Sequence, residues 1–219
     1  MHARADAHRP LVILLHGVGQ APADMAPLGE RIAAVLPAAR IAAIPAALPY
    51  DRGAQGFQWF SVDGISEDNR PGRIRAALPL FLDTIRAVQR EQGAGPDDTT
   101  LAGFSQGAIM ALAACAEHFL ARHVVAIAGR FAPLPAQWEK RTAVSLVHGA
   151  MDGTMPAAHS RHAARCLASL GADVRLDLAP RAIHLLSPPL VERAAQAVLA
   201  VPAGAVLPAA AIDDAGRAY

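Results

Sequence analysis

Lysine is nearly absent from this 219-residue chain: of 20 basic residues only Lys140 is a lysine. A P-loop requires Gly-Lys-Ser/Thr, and Lys140 is followed by Arg141. A Schiff-base enzyme would need its amine in the polar run Gln137-Trp138-Glu139-Lys140-Arg141, a poor place to depress an amine pKa. Cysteine is almost as scarce. Cys115 and Cys166 are too few for a Cys-x-x-Cys zinc cluster or a disulfide framework, and both lie in Ala-rich helical stretches where a free thiol acts as a small hydrophobe. Charge of either sign is lacking too. With a net charge of +1 and dispersed arginines there is no basic face, so no nucleic-acid partner is expected. Aromatics make up 5% of the chain, so each bulky side chain that remains is needed either by the core or by a binding pocket.

No membrane span is expected either. The first residues have no apolar leader region, which points to the cytoplasm, and the uncharged stretch 194–212 is interrupted by Pro202, Gly204 and Pro208. The 53% hydrophobic content is inflated by fifty-one alanines, and without them the apolar fraction is ordinary for a globular core. We read residues 1–200 as one domain and residues 201–219 as a flexible C-terminal tail.

What is present is alternation. Apolar runs at 11–15, 40–44, 99–102, 124–128, 144–147 and 174–178 read as buried strands. Helical patterns at 24–36, 73–92, 106–120, 156–170 and 188–200 lie between and after them, the last two with proline in the first turn. The order implies an α/β fold with a mostly parallel sheet and helices on both faces. Residues 46–72, rich in Pro, Gly and Asp and containing Gln58-Trp59-Phe60, form a connection long enough to be functional.

Ligands collect at the C-terminal ends of strands in such sheets. The first strand ends in His16-Gly17-Val18-Gly19-Gln20, which lacks the third glycine of a dinucleotide fingerprint, so no nucleotide cofactor is expected. The third ends in Gly103-Phe104-Ser105-Gln106-Gly107 and opens a helix, the context of a nucleophile elbow rather than of a mere helix-capping serine. A serine alcohol needs a base and an orienter, expected in the order Ser, Asp, His. Asp152 follows a strand in His148-Gly149-Ala150-Met151-Asp152 and precedes a helix, whereas Asp97, Asp98, Asp173 and Asp177 precede or lie within strands. Among the later histidines, His159 and His162 share a helix face with Arg161 and Arg165 and read as solvated surface; His184 sits in a short loop before a helix and reads as the base. His148 reads as a brace for the acid loop, and His16 as structural. The backbone N–H groups of Gln106 and Val18 are the expected oxyanion donors. Trp59, Phe60 and Met155 are candidates for an acyl pocket, with ordinary core packing as the competing role.

These segments, together with Gln58-Trp59-Phe60-Ser61, resemble the carboxylesterase/phospholipase family of α/β-hydrolases, the branch that includes acyl-protein thioesterases and small bacterial esterases. The likeness runs from about residue 11 to 200. It implies an α/β-hydrolase fold without a large cap, a Ser105, Asp152 and His184 triad, a Val18 and Gln106 oxyanion hole, no cofactor, and cleavage of a small acyl ester or thioester. A lysophospholipid, lactone or amide is an alternative acyl substrate; a non-catalytic scaffold is the alternative from another class. Apolar loop residues leave room for a homodimer. Two positions depart from the family pattern: Ile183 stands where a glycine commonly precedes the histidine, and Gln20 where an aspartate commonly follows the oxyanion glycines.

Overall fold

Six parallel strands form the centre of the molecule in the order β2-β1-β5-β6-β7-β8. They are β1 (Leu11–Leu15), β2 (Arg40–Ile44), β5 (Thr99–Phe104), β6 (His123–Ile127), β7 (Ala143–Gly149) and β8 (Val174–Ala179). This is a computed structural model, and it describes residues 9–200. The expected tail at 201–219 lies outside the described residues. Among the described residues five α-helices cover the sheet: α1 (Ala26–Val35), α2 (Arg70–Glu91), α3 (Gln106–Glu117), α4 (Ala158–Ser169) and α5 (Pro188–Leu199).

β1 is buried along its whole length and pairs in register with β2 on one side and β5 on the other, Leu15 opposite Ile44 and Gly103. Its side chains alternate between two cores, as a strand's pleat dictates. Leu11, Ile13 and Leu15 join α2, α3 and α4 on one face. Val12 and Leu14 join Met25, Leu28 and Ile32 and the α5 residues Leu190, Val191 and Ala194 on the other. A strand buried on both faces must be apolar at every position, which is why these runs do not alternate with polar residues.

The elements differ from the sequence expectation mainly at their edges. α2 begins at Arg70 rather than at 73, with Pro71 in its first turn, where the missing N–H costs no hydrogen bond. α4 begins at Ala158, two residues beyond Pro156. The connection at 46–72 is not wholly irregular, since β3 (Leu48–Pro49) and β4 (Phe57–Gln58) pair as a small antiparallel ribbon. Cys115 is fully buried, and burial pushes its thiol pKa up to about 12; Cys166 is only partly buried.

A buried histidine makes the fold sensitive to acid. His123 on β6 bonds Ser145 Oγ through Nε2 at 2.9 Å, while its Nδ1 has no partner among the described residues. Burial, reinforced by the positive charges of Arg175 and Arg122, lowers its pKa to about 4. The unfolded chain takes up this proton near pH 6.5 and the folded chain does not, so the stability it confers is complete above pH 6.5 and is lost as pH falls toward 4. The loss is on the order of 3 kcal/mol. His16 and His148, also lowered by burial, add to it with the same sign. The fall in Tm between pH 7 and pH 4.5 is therefore expected to be smaller in His123→Leu than in the wild type, as calorimetry would show.

Candidate active site

The order of strands reverses between β1 and β5, since the chain leaves β1 toward β2 and returns to form β5 on β1's other side. The crevice at the C-terminal ends of these two strands is where such sheets hold their ligands. Val18 follows β1 there and Ser105 follows β5. Ser105 has φ 51° and ψ −113°, an unfavourable conformation for a residue with a Cβ. Its N–H is anchored to Ile127 C=O at 2.9 Å, and α3 starts immediately after it.

The turn passes so close to its neighbours that side chains are excluded on both sides of the serine. A Cβ on Gly103 would lie 2.6 Å from Ala108 N, and one on Gly107 would lie 2.4 Å from Leu15 O. Both obstacles are backbone atoms that cannot rotate aside. Gly107→Ala is expected to cost about 3 kcal/mol of stability by forcing α3 away from β1, which urea unfolding would measure.

Ser105, Asp152 and His184 meet although 79 and 32 residues separate them along the chain. His184 Nδ1–H donates to Asp152 Oδ2 at 2.6 Å, leaving Nε2 as the acceptor 2.9 Å from Ser105 Oγ. Asp152 is buried, and its other oxygen, Oδ1, accepts from the N–H groups of Thr154 and Met155 at 2.9 and 2.7 Å. The His184 ring lies against Phe104, with centroids 5.2 Å apart. Its loop is tied to the acid loop by Met151 N–H donating to Ala182 C=O at 3.0 Å. Ile183, the departure next to this histidine, is exposed and does not displace the ring.

The other histidines divide differently from expectation in one case. His148 braces the acid loop as expected: Nε2–H donates to Met155 C=O and Nδ1 accepts from Ser160 Oγ, both at 2.7 Å. His16 is structural. Its Nδ1–H donates to Gly17 C=O at 2.7 Å, and its Nε2 accepts from Ala46 N–H at 3.0 Å. His162 is exposed. His159, expected at the surface, is half-buried and lines the cleft containing Ser105, because it borders the buried α4 stripe of Ser160, Ala163 and Ala164.

That cleft has a volume of about 490 Å³ and is lined by Val18, Phe60, Ser105, Gln106, Met155 and His184, among others. Trp59 does not line it but lines, with Phe60 and Phe81, an adjoining cavity of about 310 Å³. Its indole N–H donates to His16 C=O at 2.9 Å and its ring packs edge-on against Phe81, so most of the side chain is buried. Among the described residues the N–H of Val18 has no hydrogen-bond partner, and that of Gln106 begins a helix, where N–H groups lack intrahelical acceptors.

Two glutamine side chains hold these donors in place, and sequence reading assigned neither. Gln106 Oε1 accepts from Trp59 N–H and its Nε2 donates to Phe60 C=O, both at 2.7 Å, fastening the long connection to the elbow. Gln20, the second departure from the family pattern, closes the loop after β1 by accepting from Gly17 N–H through Oε1 at 2.7 Å. Phe57 then clamps that loop, its C=O accepting from Gly19 N–H and its N–H donating to Gln20 C=O, each at 2.8 Å.

Comparison with known proteins bears on the whole arrangement. The phospholipase/carboxylesterase family model matches residues 1–199. Esterase YpfH of Escherichia coli strain K12 is 43% identical over 169 residues, covering 77% of this chain and 72% of that protein. The solved structure of esterase PE8 superposes with a TM-score of 0.79 at 26% identity, over 90% of this chain and 94% of its own. A carboxylesterase from Mesorhizobium loti shares the fold at a TM-score of 0.73 and 23% identity, over 87% and 88% of the two chains. No helix among the described residues is long and apolar enough to cross a membrane. With family match, sequence relative and fold in agreement, the chain belongs to the phospholipase/carboxylesterase family of α/β-hydrolases and is a hydrolase of the esterase class.

Proposed function

We propose that this enzyme hydrolyses small carboxylic esters or thioesters through an acyl-enzyme on Ser105. His184 Nε2 takes the Ser105 proton as Oγ attacks the carbonyl carbon. The N–H groups of Gln106 and Val18 hold the oxyanion, with the α3 N-terminus adding its partial positive charge. The imidazolium, stabilised by Asp152, returns the proton to the leaving alcohol or thiol; water then attacks the acyl group with His184 again as base, and Ser105 is released. Phe60 and Met155 form the apolar wall beside the acyl group.

The observation that carries this reading is the unbroken chain of hydrogen bonds from Asp152 through His184 to Ser105, at 2.6 and 2.9 Å. A single domain, acting in the cytoplasm as a monomer or as a homodimer through apolar loop residues, is the setting we propose. Hydrolysis of 4-nitrophenyl butyrate, together with labelling by a fluorophosphonate probe mapped to Ser105, is the expected result. A protein that folds but takes no adduct at Ser105 would instead be a non-catalytic scaffold. Matched oxygen and sulfur esters, a lysophospholipid, a lactone and an amide then rank the acyl bonds.

A further inference from the structure

One wall of the cleft carries charges that ester hydrolysis itself does not require. Arg70, at the start of α2, and Arg130, three residues past β6, line it together with Glu67 and His159. Arg130 donates through Nη2 to Glu67 Oε2 at 2.6 Å and through Nη1 to Oε1 at 3.1 Å, while Arg70 Nη2 donates to the same Oε1 at 3.0 Å. Two cations therefore share one carboxylate, and among the described residues lining the cleft a single positive charge is left over. The arginine side chains are 18% and 16% exposed, whereas Glu67 is 64% exposed. The carboxylate is thus the replaceable member. Exposed ion pairs add little stability, but cations drawn partly out of water on a cleft wall concentrate their field inside it. His159 stands on the same wall and is held neutral by burial and by Arg130, so it offers an N–H without adding charge.

We propose that this wall is a subsite for a carboxylate carried by the substrate, with Arg70 and Arg130 as the specificity-determining residues. Guanidinium groups match a planar carboxylate through paired N–H donors, which lysine cannot do. In the free enzyme Glu67 holds the two guanidinium groups side by side; the substrate's carboxylate takes its place and Glu67 turns to solvent. The inference rests on Ser105 being the nucleophile of an ester hydrolase.

The test compares kcat/KM within matched pairs, mono-4-nitrophenyl adipate against 4-nitrophenyl hexanoate, and 4-nitrophenyl acetate against its ring-carboxylated analogue. At least one anionic ester is expected to exceed its neutral match about tenfold. In Arg130→Gln that ratio is expected to fall to about one, and in Arg130→Lys to keep only part of its value. In Glu67→Gln, which removes the competing carboxylate, the ratio is expected to rise. A purely structural tie predicts instead that Arg130→Gln and Glu67→Gln move the ratio in the same direction. That outcome, or a wild-type ratio of one or below in both pairs, overturns the subsite. If no ester is turned over and no fluorophosphonate adduct forms, the hydrolase reading itself has failed. The subsite is then decided by whether adipate raises the Tm of the wild type and of Ser105→Ala but not of Arg130→Gln; no rise in the wild type overturns it.

Discussion

Ser105→Ala is expected to lower kcat/KM for 4-nitrophenyl butyrate by about 10⁵- to 10⁶-fold, leaving only what the oxyanion donors and binding supply. Among the described residues the hydroxyl that meets His184 Nε2 is Ser105 Oγ, at 2.9 Å, so the variant has no substitute nucleophile there. The fold is expected to tolerate the change. Ser105 N–H stays bonded to Ile127 C=O, and alanine accepts the same backbone conformation at the same strain as serine. Ser105→Gly separates strain from chemistry. At φ 51° glycine carries no penalty for a Cβ, so this variant should be as inactive as alanine yet about 1 kcal/mol more stable. Retention of activity within tenfold in either variant would remove serine from the mechanism, and a Ser105→Gly protein less stable than Ser105→Ala would show that the turn is not strained.

What could be read in advance, and what could not, follows from how far apart interacting residues lie. The elbow was legible because its requirements are local: a strand before, a helix after, and glycines at 103 and 107 where the backbone passes within contact of Ala108 and Leu15. Asp152 and His184 were legible because a parallel sheet delivers successive strand ends to one edge, so chain order predicts proximity there. The Gln106 side chain was not. Its partners lie 47 and 46 residues away and are backbone groups, which carry no sequence signature. The placement of Trp59 was hidden for a related reason, since an indole in a loop can face a substrate or the core and its anchor here, His16 C=O, lies 43 residues away. The Arg70, Glu67 and Arg130 wall was hidden because 63 residues separate Glu67 from Arg130. The start of α2 lay inside what reads as a loop because Pro71 and Gly72 are poor helix formers except in the first turn.

Asp152→Asn, which removes one charge and almost no volume, is expected to lower kcat by about 10⁴-fold. The reason lies in which atoms surround the carboxylate. Oδ1 accepts from two backbone donors, Thr154 N–H and Met155 N–H, so an asparagine must keep its carbonyl oxygen on that side. The reverse orientation would set an NH₂ group against two N–H donors. The amide NH₂ must therefore replace Oδ2, where His184 Nδ1–H now donates at 2.6 Å and His148 Nε2 lies 3.3 Å away. His148 Nε2–H already donates to Met155 C=O and has no lone pair to offer, so relief has to come from His184. Its Nδ1 must become the acceptor, and the proton moves to Nε2. That places an N–H against Ser105 Oγ, where the base needs a lone pair. The imidazolium formed during attack also loses the negative charge that stabilises it. The variant is expected to fold normally and to bind a neutral ester with nearly unchanged KM, so the loss should fall on kcat, and proton NMR should show the His184 ring proton on Nε2. Near wild-type kcat in a folded Asp152→Asn protein would mean that the carboxylate neither sets the tautomer nor steadies the imidazolium, and Asp152 would then be a loop cap and nothing more.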